Sequence, residues 1–170
     1  MKIRDTLLFL VMFLANITFS QDESVTIGST NQSYYNLETG EVANITNLDW
    51  DLAFQTSSYG SGIRINGASG TELYVYPNGD VNSWNNIDTS GISSWNVLHN
   101  SDTSWSVGAF NKNVAATNSF DLGWGIYSMF THFITGDSIH VVKLSDGNLK
   151  KLLIEQLAGG TYYFKHADID

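Results

Sequence analysis

From Tyr34 onward the chain is punctuated too often for long helices. Apolar, aromatic and β-branched residues come in short runs separated by Gly, Asn, Asp and Ser, and a single proline, Pro77, interrupts the whole. The stretch Trp50-Asp51-Leu52-Ala53-Phe54, a Gly/Ser-rich break, then Ile63-Arg64-Ile65-Asn66-Gly67 is typical. Runs of this length and composition suit strands on a half-buried pleated surface. They predict strands over 34–37, 41–46, 49–55, 62–66, 72–76, 95–98, 105–110, 120–129, 131–134, 138–144, 149–156 and 161–167. The fold class is therefore all-β, with two packed, mostly antiparallel sheets and no long helix in the mature chain.

Asp146-Gly147 supplies the clearest local signal, because this pair readily takes the positive φ angles of a tight hairpin turn. In the arm before it, Ile139, Val141 and Lys143 share one face while His140, Val142 and Leu144 share the other. The arm after it, Leu149 to Ile154, contains helix-favouring Leu and Lys, yet the turn leaves no length for a crossover and strand is preferred. Between Gly79 and Asn118, Ser83-Trp84, Ser94-Trp95 and Ser104-Trp105 recur about every ten residues with unlike flanks. They read as loop or strand anchors that each lend a tryptophan to packing, with an exposed aromatic platform as the alternative.

The first twenty residues carry Lys2 and Arg4, then Leu7 to Leu14, then Phe19-Ser20 before Gln21, the three-part layout of a cleavable secretory signal. Asn16 and Thr18 cut the apolar run short of a membrane span, and no second such run follows, so no transmembrane segment remains after signal removal. Residues 1–20 are read as signal peptide, 21–33 as a flexible polar segment with Val25 to Ile27 as a candidate edge strand, and 34–170 as one β-domain. The last strand is still in progress near Ala167-Asp168-Ile169-Asp170, which reads as a truncation or as the front of a longer protein. Cysteine is absent, which excludes disulfides, thiolate chemistry and an acylated cysteine after the signal. With 8 basic against 17 acidic residues and only Lys150-Lys151 paired, nucleic acid is excluded as a partner.

No catalytic motif is present: there is no His-Glu-x-x-His, Gly-x-Ser-x-Gly, P-loop or dinucleotide-binding glycine pattern. Gly60, Gly62, Gly67 and Gly70 are not followed by a helix start and read as turn residues. Chemistry then rests on four histidines, since neutral imidazole binds haem iron. His140 lines up with Val142 and Leu144 as a packing residue, and His166 follows Phe164 near the end of the terminal strand. His99 and His132 stand where strand meets loop, beside aromatic and aliphatic residues, as a haem site requires. Met129 is a competing axial ligand through its thioether sulfur.

Several elements in order carry a resemblance: Tyr34-Tyr35-Asn36-Leu37, Trp50 to Phe54, Ile63 to Gly67, Gly108-Ala109-Phe110-Asn111, Gly123-Trp124, Thr131-His132, Asp146-Gly147 and Tyr162-Tyr163-Phe164-Lys165-His166-Ala167-Asp168. Together they resemble the HmuY family of bacterial haem-binding proteins. The resemblance implies an all-β, secreted, periplasmic or cell-surface, non-enzymatic protein that captures haem or a related tetrapyrrole for iron acquisition and serves an outer-membrane haem receptor. It implies His132 as axial ligand through the Thr131-His132 element. His99 enters by chemistry and position, so the expected iron ligands are His132 with His99, or Met129, opposite, and Arg64 or Lys143 at the propionates. A surface module for glycans or proteins, with Trp84, Trp95 and Trp105 as stacking platforms, is the alternative.

Overall fold

The structure, a computed structural model, describes residues 22–25 and 30–169. The signal segment lies outside these residues, as do positions 26 and 27 of the candidate first edge strand, and Val25 has no regular structure. The chain divides into two compact units, Met1–Ile45 and Thr46–Asp170. In the first, β1 (Asn31–Asn36) pairs with β2 (Gly40–Thr46). Asn36 Oδ1 accepts from the backbone N–H groups of Glu38 and Thr39, which closes the turn between them. β1 thus takes in residues 31–33 of the polar segment.

The second unit contains β3 (Leu52–Phe54), β4 (Ile63–Ile65), β5 (Glu72–Val75), β6 (Val97–Leu98), β7 (Gly125–Tyr127), β8 (Ile134–Gly136), β9 (Ile139–Lys143), β10 (Leu149–Ala158) and β11 (Thr161–Asp168). β3 and β4 form a ladder of their own, and the other seven make one sheet in which every pair is antiparallel. The all-β expectation holds, with one broad sheet and a small second layer. The segment 105–110, expected as a strand, is instead loop leading into a 3-10 turn at Ala109–Lys112. Its reason is close approach: a Cβ on Gly108 would meet the Ile63 carbonyl oxygen at 1.8 Å, so the segment lies against a strand backbone and has no room for a ladder.

β10 is the spine of the sheet. β11 runs along one edge, from Lys150 opposite Asp168 to Ala158 opposite Thr161, with Glu155 as an extra residue in a bulge. The other edge is shared end to end: β9 pairs with Leu149 to Leu153, and β8 with Gln156 and Leu157. β5 and then β6 extend from β9, whereas β7 extends from β8. Hence the β7–β8 hairpin sits at one end of the spine and β6 at the other. The hairpin between β9 and β10 forms as expected, but of the Asp146-Gly147 pair only Gly147 takes a positive φ, at +87°, after a turn closed by Gly147 N–H donating to Leu144.

Alternation sorts the sheet into two buried faces. Leu73, Val142, Leu152 and Ile154 pack with Ile63, Ile65, Phe110 and Trp124, which places the β3–β4 ladder and the 3-10 turn over one face. On the other face Tyr74 and Tyr76 meet Trp95 edge-on at 6.2 and 5.9 Å, and Lys151 donates to the Trp84 carbonyl. Both faces of β9 are therefore covered, and Ile139 to Val142 are all buried.

Asparagine side chains finish the open edge of β4. Gln55 N–H donates to Gly62 and Asn66 N–H to Asp51, so these alternate residues bond toward β3. Ile63 and Ile65 consequently face away, where no strand follows. Asn111 Oδ1 accepts from the N–H groups of Ile63 and Gly108, and its Nδ2 donates to the Ser61 and Leu122 carbonyls. Asn100 Oδ1 accepts from Ile65 and Ala109, and its Nδ2 donates to the Ile65 carbonyl at 2.7 Å. Leaving a partly buried donor unmatched costs about 1–3 kcal/mol. Asn111→Ala is expected to lower unfolding free energy by about 2–4 kcal/mol, read from urea denaturation.

His140 is completely buried against Phe110, with ring centroids 4.6 Å apart, and only a weak interaction with the Ser138 backbone acts on its ring. Burial lowers its pKa to about 3. As pH falls below about 6.5 the unfolded chain takes up a proton that the folded chain refuses, so stability is lost from there down to the folded pKa. The unfolding free energy read from urea denaturation should fall between pH 6.5 and 4.5, by up to about 1.4 kcal/mol per pH unit, and His140→Leu should flatten that slope.

Candidate functional site

A cleft of about 870 Å³ opens where the β3–β4 loop, the β7–β8 loop and the β10–β11 turn come together. Its volume lies within the range of small-molecule sites. Leu122, Phe133, Ile134, Leu157 and the rings of Tyr127 and Tyr162 supply apolar wall, while Gln55, Ser57, Ser58 and Ser61 supply polar rim. The lining contains no Lys, Arg, Asp or Glu.

The β3–β4 loop is held at its base. The Ser61 carbonyl accepts from Asn111 Nδ2 and from the indole Nε1 of fully buried Trp124, at 3.2 and 3.0 Å. Gly62 N–H donates to Gln55 Oε1, and the Gly60 carbonyl accepts from Tyr162 hydroxyl at 3.4 Å. Burial pushes the Tyr162 phenol up to about 12, which keeps it protonated as a donor.

His132 closes the β7–β8 loop from the left-handed region, at φ +58°. Its N–H donates to the Ser128 carbonyl, and Ser128 N–H donates to Phe133, both at 2.8 Å. The Tyr127 hydroxyl lies 2.7 Å from His132 Nδ1 and fixes the ring, leaving Nε2 without a protein partner among the described residues. A neutral imidazole tethered through one nitrogen can offer the other to a metal. Among the described residues no cluster of three or more His, Asp or Glu can hold a bare metal ion.

The structure brings His132 to the cleft but not the other candidates. His99 follows β6, where the ladder of Leu73 with Leu98 sets it beside Glu72. Glu72 is opposite Lys143, so His99 lies level with the far end of β9. Residue 132 is two positions before Ile134, which pairs with Leu157 near the other end of β10, so His99 and His132 lie toward opposite ends of the sheet. The structure therefore does not bring His99 to the cleft that His132 lines, and ladder register is what sequence reasoning lacked. Met129 is 68% exposed at the tip of the β7–β8 loop beside Phe130 at 95%, and it is not part of the lining.

Neither expected propionate partner reaches the cleft. Arg64 donates to the carbonyls of Ser101, Ser104 and Trp105 and lies 4.8 Å over the Trp105 ring, and Lys143 pairs with Glu72 at 3.2 Å. Of the three recurring tryptophans, Trp95 packs on the sheet, Trp84 is flanked by Lys151 and Lys165, and Trp105 is exposed. The residues that sequence reasoning missed are Tyr59, Tyr127 and Tyr162. Their one sequence cue is Tyr59, an aromatic inside the run Ser57-Ser58-Tyr59-Gly60-Ser61-Gly62.

An all-antiparallel scaffold thus gathers three loops round one cleft, with the tethered imidazole of His132 in its lining. The chain belongs to the HmuY family: the family model described as HmuY protein matches residues 28–166. That family is associated with haem binding and is non-enzymatic. No curated protein and no solved structure matches the chain. No helix among the described residues is long and apolar enough to cross a membrane.

The Tyr127 tether can be checked without ligand. Tyr127→Phe should cost about 1 kcal/mol or less in stability and broaden or shift the His132 ring resonances in NMR spectra.

Proposed function

We propose that this chain is an exported, non-enzymatic binding domain that holds haem or a related tetrapyrrole in the cleft, with His132 as axial ligand, and serves haem or iron acquisition. The observation that supports this reading is the free Nε2 of an imidazole fixed through Nδ1, standing in an apolar cleft of sufficient volume in a chain of the HmuY family. When Nε2 binds iron the neutral ring carries its proton on Nδ1, and the Tyr127 oxygen then accepts that hydrogen bond. Bound haem supplies an iron centre open to axial donors and a broad apolar plane.

The residues fit such a ligand. Phe133, Leu157, Leu122 and Tyr162 offer apolar contact to a macrocycle, and the Ser57 and Ser58 hydroxyls with solvent meet its acid groups in place of cations. Export follows from the signal-like first twenty residues, and an outer-membrane haem receptor is the partner this role calls for. Titrating the purified protein with hemin should give a sharp, shifted Soret band that His132→Ala abolishes and His99→Ala leaves unchanged. A spectrum of free hemin, or one indifferent to His132→Ala, overturns the reading.

A further inference from the structure

Among the described residues of the second unit, Tyr59 and Phe130 have the most exposed large apolar or aromatic side chains, and they stand on two loops that frame one cleft. Met129, beside Phe130, is mostly exposed as well. The β7–β8 loop that displays them is firmly closed. Ser128 N–H donates to the Phe133 carbonyl and His132 N–H to the Ser128 carbonyl, while the N–H groups of Thr131 and Phe133 donate to the hydroxyls of Ser128 and Thr131. Four amides are thus matched inside the loop and need no water, a condition for backbone that approaches lipid. Met129 and Phe130 form its crown.

Charge narrows what can cover this crown. No Asp, Glu, Lys or Arg occurs between Asp51 and Arg64, between Asp121 and Asp137, or between Glu155 and Lys165, the three segments that meet at the cleft. In a chain with 17 acidic and 8 basic residues, that leaves a neutral cap on an acidic body. A specific protein partner needs a broad complementary face of about 800 Å² with a polar rim to orient it. Two projecting side chains backed by Ser, Thr and Gly do not supply one. A lipid surface is deformable and needs no matched donors; it takes up Phe and Met while Tyr and hydroxyl groups stay at headgroup level. The loops carry that gradation, with Met129 and Phe130 at the crown, Tyr59 across the cleft, and Ser58, Ser128 and Thr131 next to them in the chain.

We propose that Met129 and Phe130, with Tyr59 on the neighbouring loop, form a lipid-docking tip that dips into a bilayer surface of zwitterionic headgroups. Apolar burial drives the contact, and the acidic body of the chain opposes docking on negatively charged headgroups. Each large side chain taken up is worth about tenfold or more in a partition constant. Two or three of them give reversible attachment, comparable to a single acyl chain and far short of a permanent anchor. The cleft then opens toward the lipid, and the docking itself needs no ligand in the cleft.

The test is flotation with phosphatidylcholine vesicles, and with vesicles that also contain phosphatidylglycerol, of the exported chain freed of its apolar first twenty residues. The unaltered protein should float with the first, at low and high salt alike, and less well with the second at low salt. Phe130→Ser should weaken partition about tenfold, and Met129→Ser added to it should abolish flotation. Phe130→Trp should keep flotation and gain fluorescence quenching by brominated lipid tails. Thermal midpoints of the serine variants should match the unaltered protein, since neither side chain belongs to the core. Absence of flotation, flotation indifferent to these serines, or a two-copy assembly without lipid that Phe130→Ser disperses overturns the proposal. Hemin binding is read separately from the Soret band, so either reading can fail alone.

Discussion

The structure depends on two asparagine amides doing the work of an absent strand. β4 has a strand on one side only, and Asn100 and Asn111 close the other by matching the backbone groups of Ile63 and Ile65. An edge with N–H and C=O groups turned inward under packing would otherwise lose about 1–3 kcal/mol per unmatched group. The same two amides draw in Gly108 and Ala109, and through them buried Phe110 reaches the sheet. One device therefore seals a ladder, seats a turn and fills the core. It also replaces a cross-link in a chain without cysteine.

Much of the scaffold was legible in the sequence because strands announce themselves locally. The Asp146-Gly147 hairpin and the alternation of Ile139, Val141 and Lys143 against His140 and Val142 need only neighbouring residues, and the structure has the hairpin and the alternation, with Gly147 alone of the pair at positive φ. The segment 105–110 has the composition of a strand, yet Gly108 pressed on Ile63 and the reach of Asn111 make it a loop and a 3-10 turn. That contact spans some forty-five residues and leaves no local periodicity to detect.

The cleft was half legible for the same reason. His132 stands out by residue type beside a loop, and the structure does put it at the cleft with Tyr127 bound to its ring. His99 stands out equally well, but ladder register carries it beside Glu72 at the far end of β9. Position in a strand is a local property, whereas the distance between two loops is set by which strands pair. Tyr59 had the opposite fate: its ring inside a Ser/Gly run was a sequence cue, yet the run reads as ordinary turn, and its positive φ appears only in the structure.

The pinned base of the β3–β4 loop divides two tasks between neighbouring residues. Ser61 is tied to Asn111 and Trp124, both part of the packed interior, whereas the tip three residues earlier is bound only within its own turn. Motions of such a tip run on nanoseconds to microseconds and need no opening of the interior. The mobility of the tip and the durability of the scaffold are thereby uncoupled, so the tip can vary in stiffness or bulk while the packed interior keeps its contacts.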